Sequence, residues 1–326
     1  MPLGKVGIVF TGGGFTGAVS VGFAKAIWKN GIVPSIIQGV SVGALNAAKI
    51  IESDVDELIR VWLEIEKMGP YSIFNWKDIA MNVLRRNPSL YNNSGLWKLI
   101  DTFDISKITN AAEELQIITR NESDDLKINI FRNHDNLFKK DPQLFKKVIL
   151  AATALQGGFP PVQINGEMHS DGMRYWIRPL VEKGCDTIFL LLNDQANEGQ
   201  MRWDQRLAMG HHTSQDENAF LRLENLLSIY KDYYVILEEK MAEEKLPLLV
   251  KRLRMASVGK LARRIRSVIS SAAQGDDINL TPHRIFVLNT RRPITTLYTT
   301  GFQKGDIKAA IEQGYDQASN LLEKIL

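Results

Sequence analysis

Apolar positions recur along this chain in two forms. Short, nearly uninterrupted apolar runs alternate with longer stretches in which apolar residues return every three or four positions. The runs are Val6–Phe10, Ile36–Val40, Leu115–Thr119, Leu126–Phe131, Thr187–Leu192 and Arg284–Leu288. Their length and their bounding turn residues read as strands, most of them buried. The periodic stretches read as helices. Ala18–Lys29 puts Val21, Ala24, Ile27 and Trp28 on one face, and Ser53–Lys67 carries Val55, Leu58, Ile59, Trp62 and Ile65 as a stripe. Ser94–Ile100 reads as a capped helix, Asp141–Ala154 as a helix with Pro142 in its first turn, and Lys304–Ile325 as a closing helix. Asn165-Gly166 marks a hairpin whose returning strand, Glu167–Ser170, ends in Asp171-Gly172. Strand and helix in alternation predict an α/β fold with a central, mostly parallel sheet flanked by helices.

Residues 200–280 break that rhythm. Helical periods dominate there and glycine is sparse, so they read as a helical insertion within a single domain spanning 1–326. Acidic residues crowd Asp216–Lys245, whereas Lys251–Arg266 carries Lys251, Arg252, Arg254, Lys260, Arg263, Arg264 and Arg266 with no acid. Leu253, Val258, Leu261, Ile265 and Val268 keep roughly helical spacing through that basic stretch. Two arrangements fit: an antiparallel acidic–basic helix pair, or a basic amphipathic face lying on an anionic membrane.

Composition narrows the classes. A chain of 326 residues with 44% hydrophobic and 24% charged residues is long enough, and apolar enough, for a large folded core. Its net charge of +3 gives no argument for a nucleic-acid partner. Cys185 is the only cysteine, which excludes an intrachain disulfide and reads as a buried structural thiol. The apolar run at the N-terminus is too short for a signal peptide, and no apolar stretch reaches the length of a membrane span. The expectation is a cytoplasmic protein, with peripheral membrane contact through Lys251–Arg266 as the open alternative. Aromatic residues Tyr71, Phe74, Trp76, Tyr91, Trp97 and Phe103 crowd residues 70–110, as core anchors or as a lipid-facing entrance.

Candidate chemistry lies where two of the strands end. Ile36–Val40 runs into Gly39-Val40-Ser41-Val42-Gly43, and small and aliphatic residues suited to a helix follow. This is the strand–turn–helix context of a nucleophile elbow: Gly39 and Gly43 allow a sharp corner, and Ser41 stands exposed at a helix N-terminus. Val6–Phe10 runs into Gly12-Gly13-Gly14-Phe15-Thr16-Gly17 and then a helix. That loop also fits a dinucleotide fingerprint, which requires an acidic residue about 20 positions on. No acidic residue occurs before Glu52, so the nucleotide reading fails. Neighbouring parallel strands would bring this loop to the same sheet edge as Ser41, where glycine N–H groups suit a developing oxyanion.

These two motifs resemble those of the patatin-like phospholipase family. Gly12–Gly17 is similar to its oxyanion loop and Gly39–Gly43 to its elbow. Ala151–Ala154, Phe159–Val162, Gly166, Asp171-Gly172 and Pro179 follow the order and spacing of its second signature. The resemblance covers roughly 1–195 and 282–326. It implies Ser41 as nucleophile and Asp171 as its direct base, with Gly12, Gly13 and Gly14 as the oxyanion hole. It further implies a lipid or acyl-ester substrate and no cofactor. Three positions depart from the family: Thr16 where Arg or Lys is frequent, Met173 where a second glycine is usual, and Ile177 where asparagine is common.

A serine usually borrows a histidine base. The histidines here are His134, His169, His211, His212 and His283, and none clearly follows a late core strand. His169 precedes Asp171 by two residues and shares its strand face, so it stands as the alternative base or as a residue lining the site. No His/Cys/Asp cluster has metal-ligand spacing. The expected activity is hydrolysis of a lipid carboxylic ester, of phospholipase A or lysophospholipase type, through an acyl-Ser41 intermediate. An acyl transferase using the same pair and a non-catalytic lipid-binding module are the alternatives.

Overall fold

The computed structural model describes residues 3–85, 87, 89–124, 127–173, 175–193, 234–236, 284–289, 294 and 296–326. The strands are β1 (Val6–Phe10), β2 (Ile36–Val40), β3 (Glu114–Asn121), β4 (Lys127–Arg132), β5 (Val162–Ile164), β6 (Glu167–Asp171), β7 (Thr187–Leu192), β8 (Tyr234–Ile236) and β9 (Arg284–Asn289). They form one sheet in the order β5-β6-β3-β2-β1-β7-β9-β8, with β4 pairing β3 off that path. The five consecutive pairings from β3 to β8 are parallel, and the β3–β4, β3–β6 and β5–β6 pairings are antiparallel. β1 and β7 occupy the residues that their apolar runs predict, and β2 begins where its run does, because strands covered on both faces are largely apolar; Gln38 of β2 is buried with its amide bonded to Gln116 and the Trp176 carbonyl.

The described helices are α1 (Ala18–Lys29), α2 (Val42–Glu52), α3 (Val55–Met68), α4 (Trp76–Leu84), α5 (Ser94–Asp101), α6 (Ile105–Asn110), α7 (Asn136–Lys140), α8 (Pro142–Thr153), α9 (Arg178–Glu182) and α10 (Asp306–Ile325). Caps explain where they start. Asp54 accepts the Glu57 N–H at 2.7 Å, so α3 begins at Val55 and not at Ser53. Asp141 accepts the Leu144 N–H at 3.3 Å, with Pro142 as the first helical residue of α8.

The sheet has two unequal faces. On the larger face Ile8, Phe10, Ile37, Leu115, Ile117, Phe189 and Leu191 join buried residues of α1, α2, α3, α8 and α10 in one core. On the smaller face Val9, Ile36, Ile188 and Leu190 pack with Ile177, Leu180, Val181 and Cys185. Cys185 is fully buried, and burial pushes its thiol up to about 11, which suits a structural residue. Helices α1 and α10 approach backbone to backbone. A Cβ on Gly22 would lie 2.0 Å from the Ile311 carbonyl oxygen, and one on Gly314 would lie 2.2 Å from that of Val19.

One edge of β3 decides where the chemistry falls. β4 runs along the far edge from Gln116 to Asn121. The near edge is divided: β2 pairs Glu114 to Ile118 and ends at Val40 opposite Ile118. Antiparallel β6 then takes Asn121, Arg120 and Thr119, ending at Asp171 opposite Thr119. β2 and β6 therefore meet head-on, C-terminal end to C-terminal end, along a single neighbour.

Most of the expected helical insertion, and with it the basic stretch Lys251–Arg266, lies outside the described residues. Tyr234–Ile236, expected in a helical stretch, instead forms strand β8, parallel to β9. Its Tyr-Val-Ile composition suits an extended backbone. Among the described residues no helix is long and apolar enough to cross a membrane.

Candidate active site

Ser41 caps α2 with φ 57° and ψ −134°, a left-handed-side conformation that a non-glycine residue adopts only when its surroundings enforce it. The enforcing contacts are steric. A Cβ on Gly39 would lie 2.5 Å from the Gly43 carbonyl oxygen, across the corner. A Cβ on Gly43 would lie 2.2 Å from the Phe10 carbonyl oxygen, so this second glycine is demanded by strand β1 and not by the corner itself. Gly12 faces the serine directly, since its Cβ would sit 2.9 Å from Ser41 Cβ and 3.4 Å from Ser41 Oγ.

The glycine loop is tied down through its carbonyl groups. Asn193 Nδ2 donates to the carbonyls of Thr11 at 2.9 Å and Gly12 at 3.2 Å. Thr16 Oγ1 lies 2.8 Å from the Gly13 carbonyl oxygen and 3.1 Å from that of Asn193. The Phe15 N–H donates to the Thr299 carbonyl at 3.0 Å, and Gly14 (φ 57°) leaves no room for a side chain against that same carbonyl. Among the described residues no backbone carbonyl outside regular helices and strands accepts the N–H of Gly12, Gly13 or Gly14. Thr16, 5% exposed, stands where a basic residue is frequent in the family and acts here as a loop clamp.

Asp171 reaches the serine from the end of β6. Its own N–H donates to the Ala154 carbonyl at 2.9 Å. Its carboxylate accepts the Met173 N–H at 2.7 Å and lies close enough to the Ser41 hydroxyl for that group to lower its pKa. The residue is 1% exposed. Burial pushes its carboxyl up to about 6, against the opposing pull of the Ser41 hydroxyl, the Met173 N–H and the Arg120 charge. Met173 adopts φ 55°, the conformation for which glycine is the usual choice. Ile177 is buried in the smaller core and its carbonyl accepts the Leu180 N–H at 2.9 Å, a backbone role open to any residue.

His169 shares the strand face but not the chemistry. Its Nδ1 lies 3.0 Å from Thr119 Oγ1, its ring packs edge-on to Phe131, and Glu167 lies 3.8 Å from Nε2. Burial lowers its pKa, and neither Ser41 nor the pocket beside it is among its contacts. Among the described residues no group of His, Cys, Asp and Glu could hold a metal ion.

An apolar pocket opens on Ser41, with about 740 Å³ of empty space counted to include its solvent-open mouth. Leu45 from α2, Leu58 and Trp62 from α3, Leu96 from α5, Phe74 and Phe159 are among its walls. Phe74 and Phe103 line the pocket, whereas Tyr91 is buried behind it, packed edge-on against Phe74.

Residues that motif reading missed hold this site together. Asn193 follows β7 directly, at the sheet edge where α/β sites form, but a lone asparagine after a strand carries no motif. Asn46 joins three elements: its Oδ1 accepts from Trp62 Nε1 at 2.8 Å, and its Nδ2 donates to the Gly17 carbonyl at 3.2 Å. Lys49 is a lone charge in an apolar helix with Glu52 three residues on, a spacing that signals a buried pair.

A strained serine at a strand–helix corner, a buried aspartate near it and a glycine loop beside it are gathered at one edge of an α/β sheet. Residues 8–175 match the family model described as Patatin-like phospholipase, and the chain belongs to that family of lipid acyl hydrolases. It is similar to lysophospholipase NTE1 of Saccharomyces cerevisiae, 26% identical over 195 residues, which is 56% of this chain and 10% of that protein. Lysophospholipase nte1 of Aspergillus terreus is 27% identical over 176 residues, 52% of this chain and 10% of that protein. The chain thus spans about a tenth of the length of these relatives. The crystal structure of VipD from Legionella pneumophila aligns with 99% of this chain and 67% of its own at 12% identity, with a TM-score of 0.44.

Proposed function

We propose that this protein hydrolyses a carboxylic ester of a phospholipid or lysophospholipid through an acyl-Ser41 intermediate, with Asp171 as the base. The observation that carries this reading is the meeting of the strained Ser41 corner with the buried Asp171 carboxyl, at adjacent positions of β3, where burial lifts that carboxyl's pKa to about 6 beside the Ser41 hydroxyl. At neutral pH such a group is mostly ionised yet far more basic than a carboxylate in water. Asp171 takes the Ser41 proton as Oγ bonds to the ester carbonyl carbon. Negative charge then gathers on the carbonyl oxygen, where the N–H groups of Gly12, Gly13 and Gly14 and the positive end of α2 stabilise it. The carbon–oxygen bond to the alcohol breaks, and the leaving oxygen takes the proton from Asp171. Water then attacks the acyl-serine, giving a proton to Asp171 and releasing the acid as Ser41 regains its hydrogen.

Two features support lipid over small soluble esters: the apolar pocket beside Ser41 and the lysophospholipase names of the relatives. The test is a panel of short-chain ester, lysophospholipid, diacyl phospholipid and triacylglycerol offered to the wild type and to Ser41→Ala. Release of fatty acid from the phospholipid substrates, lost in Ser41→Ala, is the expected result. Turnover that persists in Ser41→Ala, or none on any lipid, would sink the reading.

A further inference from the structure

Helix α2 forms one wall of the pocket along most of its length. Ser41, Leu45 and Lys49, spaced four apart, all line the cavity, so one stripe of the helix runs from the serine to the lysine. Eight residues of α-helix rise ~12 Å. Between these ends the walls are mostly apolar, with Asn46 and Thr153 as polar members of the lining. At the far end they are not: Lys49 is 7% exposed, its ammonium pairs with Glu52, and it lies 5.2 Å from the centre of the Phe103 ring, another lining residue. Glu52 also accepts the Asp104 N–H at 3.1 Å, which ties the pair to the start of α6.

This buried pair puts fixed charge beside the lining at the Lys49 end of α2. An alkyl chain reaching it would have to displace a satisfied ammonium–carboxylate contact, which leaves buried charge unpaired. The geometry points to the Lys49–Glu52 pair, with Phe103 against it, as the stop that sets acyl-chain length. The inference rests on the hydrolase reading above and adds to it the class of acyl group taken. With bond lengths and angles of ordinary carbon chains, an extended chain advances ~1.25 Å per carbon. A ~12 Å run from Ser41 therefore accommodates about eight to ten carbons before that pair. The substrate class is a medium-chain acyl ester, and longer chains must leave part of their length outside.

The experiment is a series of p-nitrophenyl esters from C4 to C16, assayed below their aggregation limits. Three proteins are compared: wild type, Lys49→Ala/Glu52→Gln and Phe103→Leu. The double variant removes both charges together, so no buried charge is left alone, and the glutamine keeps an acceptor for the Asp104 N–H. Phe103→Leu leaves the pair intact and guards against a folding failure of the first. In the wild type kcat/KM should climb about fourfold per added carbon, the worth of burying one CH2, and stop near C8–C10. In the variants the climb should continue for two or more further carbons. A wild-type climb that runs unbroken to C16, or an unchanged break point in both folded variants, would overturn the gauge while leaving the hydrolase reading intact. Absence of Ser41-dependent turnover on every ester would overturn both.

Discussion

The Ser41 corner and the Asp171 corner, which we propose act together, are built in opposite ways. The Ser41 corner is local. Strand, glycines, serine and helix lie within Ile36–Glu52, and backbone contacts specify each glycine. The Asp171 corner is assembled from distant pieces. Thr119 supplies its strand partner, Ala154 takes its N–H, and Arg120 contributes its field. It also tolerates Met173 in a left-handed conformation where glycine would be unstrained. A strained nucleophile has to be over-determined by sterics. A base needs only a dry, fixed position, and many neighbours together can provide one.

If the two corners act as a unit, removing either should do the same damage. Ser41→Ala and Asp171→Asn are each expected to lower kcat by ~10⁴-fold, with the double variant little worse, since residues acting together are non-additive. Steady-state kinetics on the three folded proteins would reveal independent roles as multiplying losses.

The second effect separates the corners by stability. The folded value of about 6 for Asp171 lies above its ordinary 3.8, so the ionised carboxylate is disfavoured in the fold. Its contribution to stability is therefore greatest below pH ~4, falls as the pH rises through about 6 and is flat above, a difference of ~3 kcal/mol. Asp171→Asn should accordingly melt higher than wild type at pH 8, and that advantage should vanish by pH 4. Wild-type kcat/KM should fall on the acid side with an apparent pKa near 6, as the base takes up its proton. A pH-independent stability difference would mean that the Asp171 carboxyl titrates alike in the folded and unfolded chain.

Sterics should show next. Gly43→Ala presses a methyl group against the Phe10 carbonyl and is expected to cost about 1–3 kcal/mol, read as a lower melting temperature. Unchanged stability would show that β1 does not confine the corner. The smallest effect is expected at Met173, in the tolerant corner. Met173→Gly relieves left-handed strain and should stabilise by ~1 kcal/mol or less, whereas Met173→Val should destabilise, because a β-branched residue fits that region worst. Equal effects of the two would remove backbone strain as the reason for the departure.

Much of this was legible in the amino-acid order, because its causes are local. Apolar runs placed β1 and β7 to the residue and marked where β2 begins, since a strand buried on both faces is largely apolar; Gly39 and Val40, expected in the corner, still belong to β2. Asn165 and Gly166, with φ 51° and 87°, formed the expected hairpin because that pair accepts positive φ cheaply. Ser41 and Gly39 announced themselves for the same reason, whereas the need for Gly43 comes from the Phe10 carbonyl of β1. What the order of residues could not determine was the meeting of β2 and β6 on one edge of β3. That arrangement brings Asp171 near Ser41 and turns His169 toward Thr119 and Phe131 instead. Nor could it show that Asn193 clamps the glycine loop, or that Lys49 lines a pocket together with Phe103. Each depends on segments far apart in sequence arriving side by side, and on burial, which gives a carboxylate or a lysine its chemistry and exists only once the chain has packed.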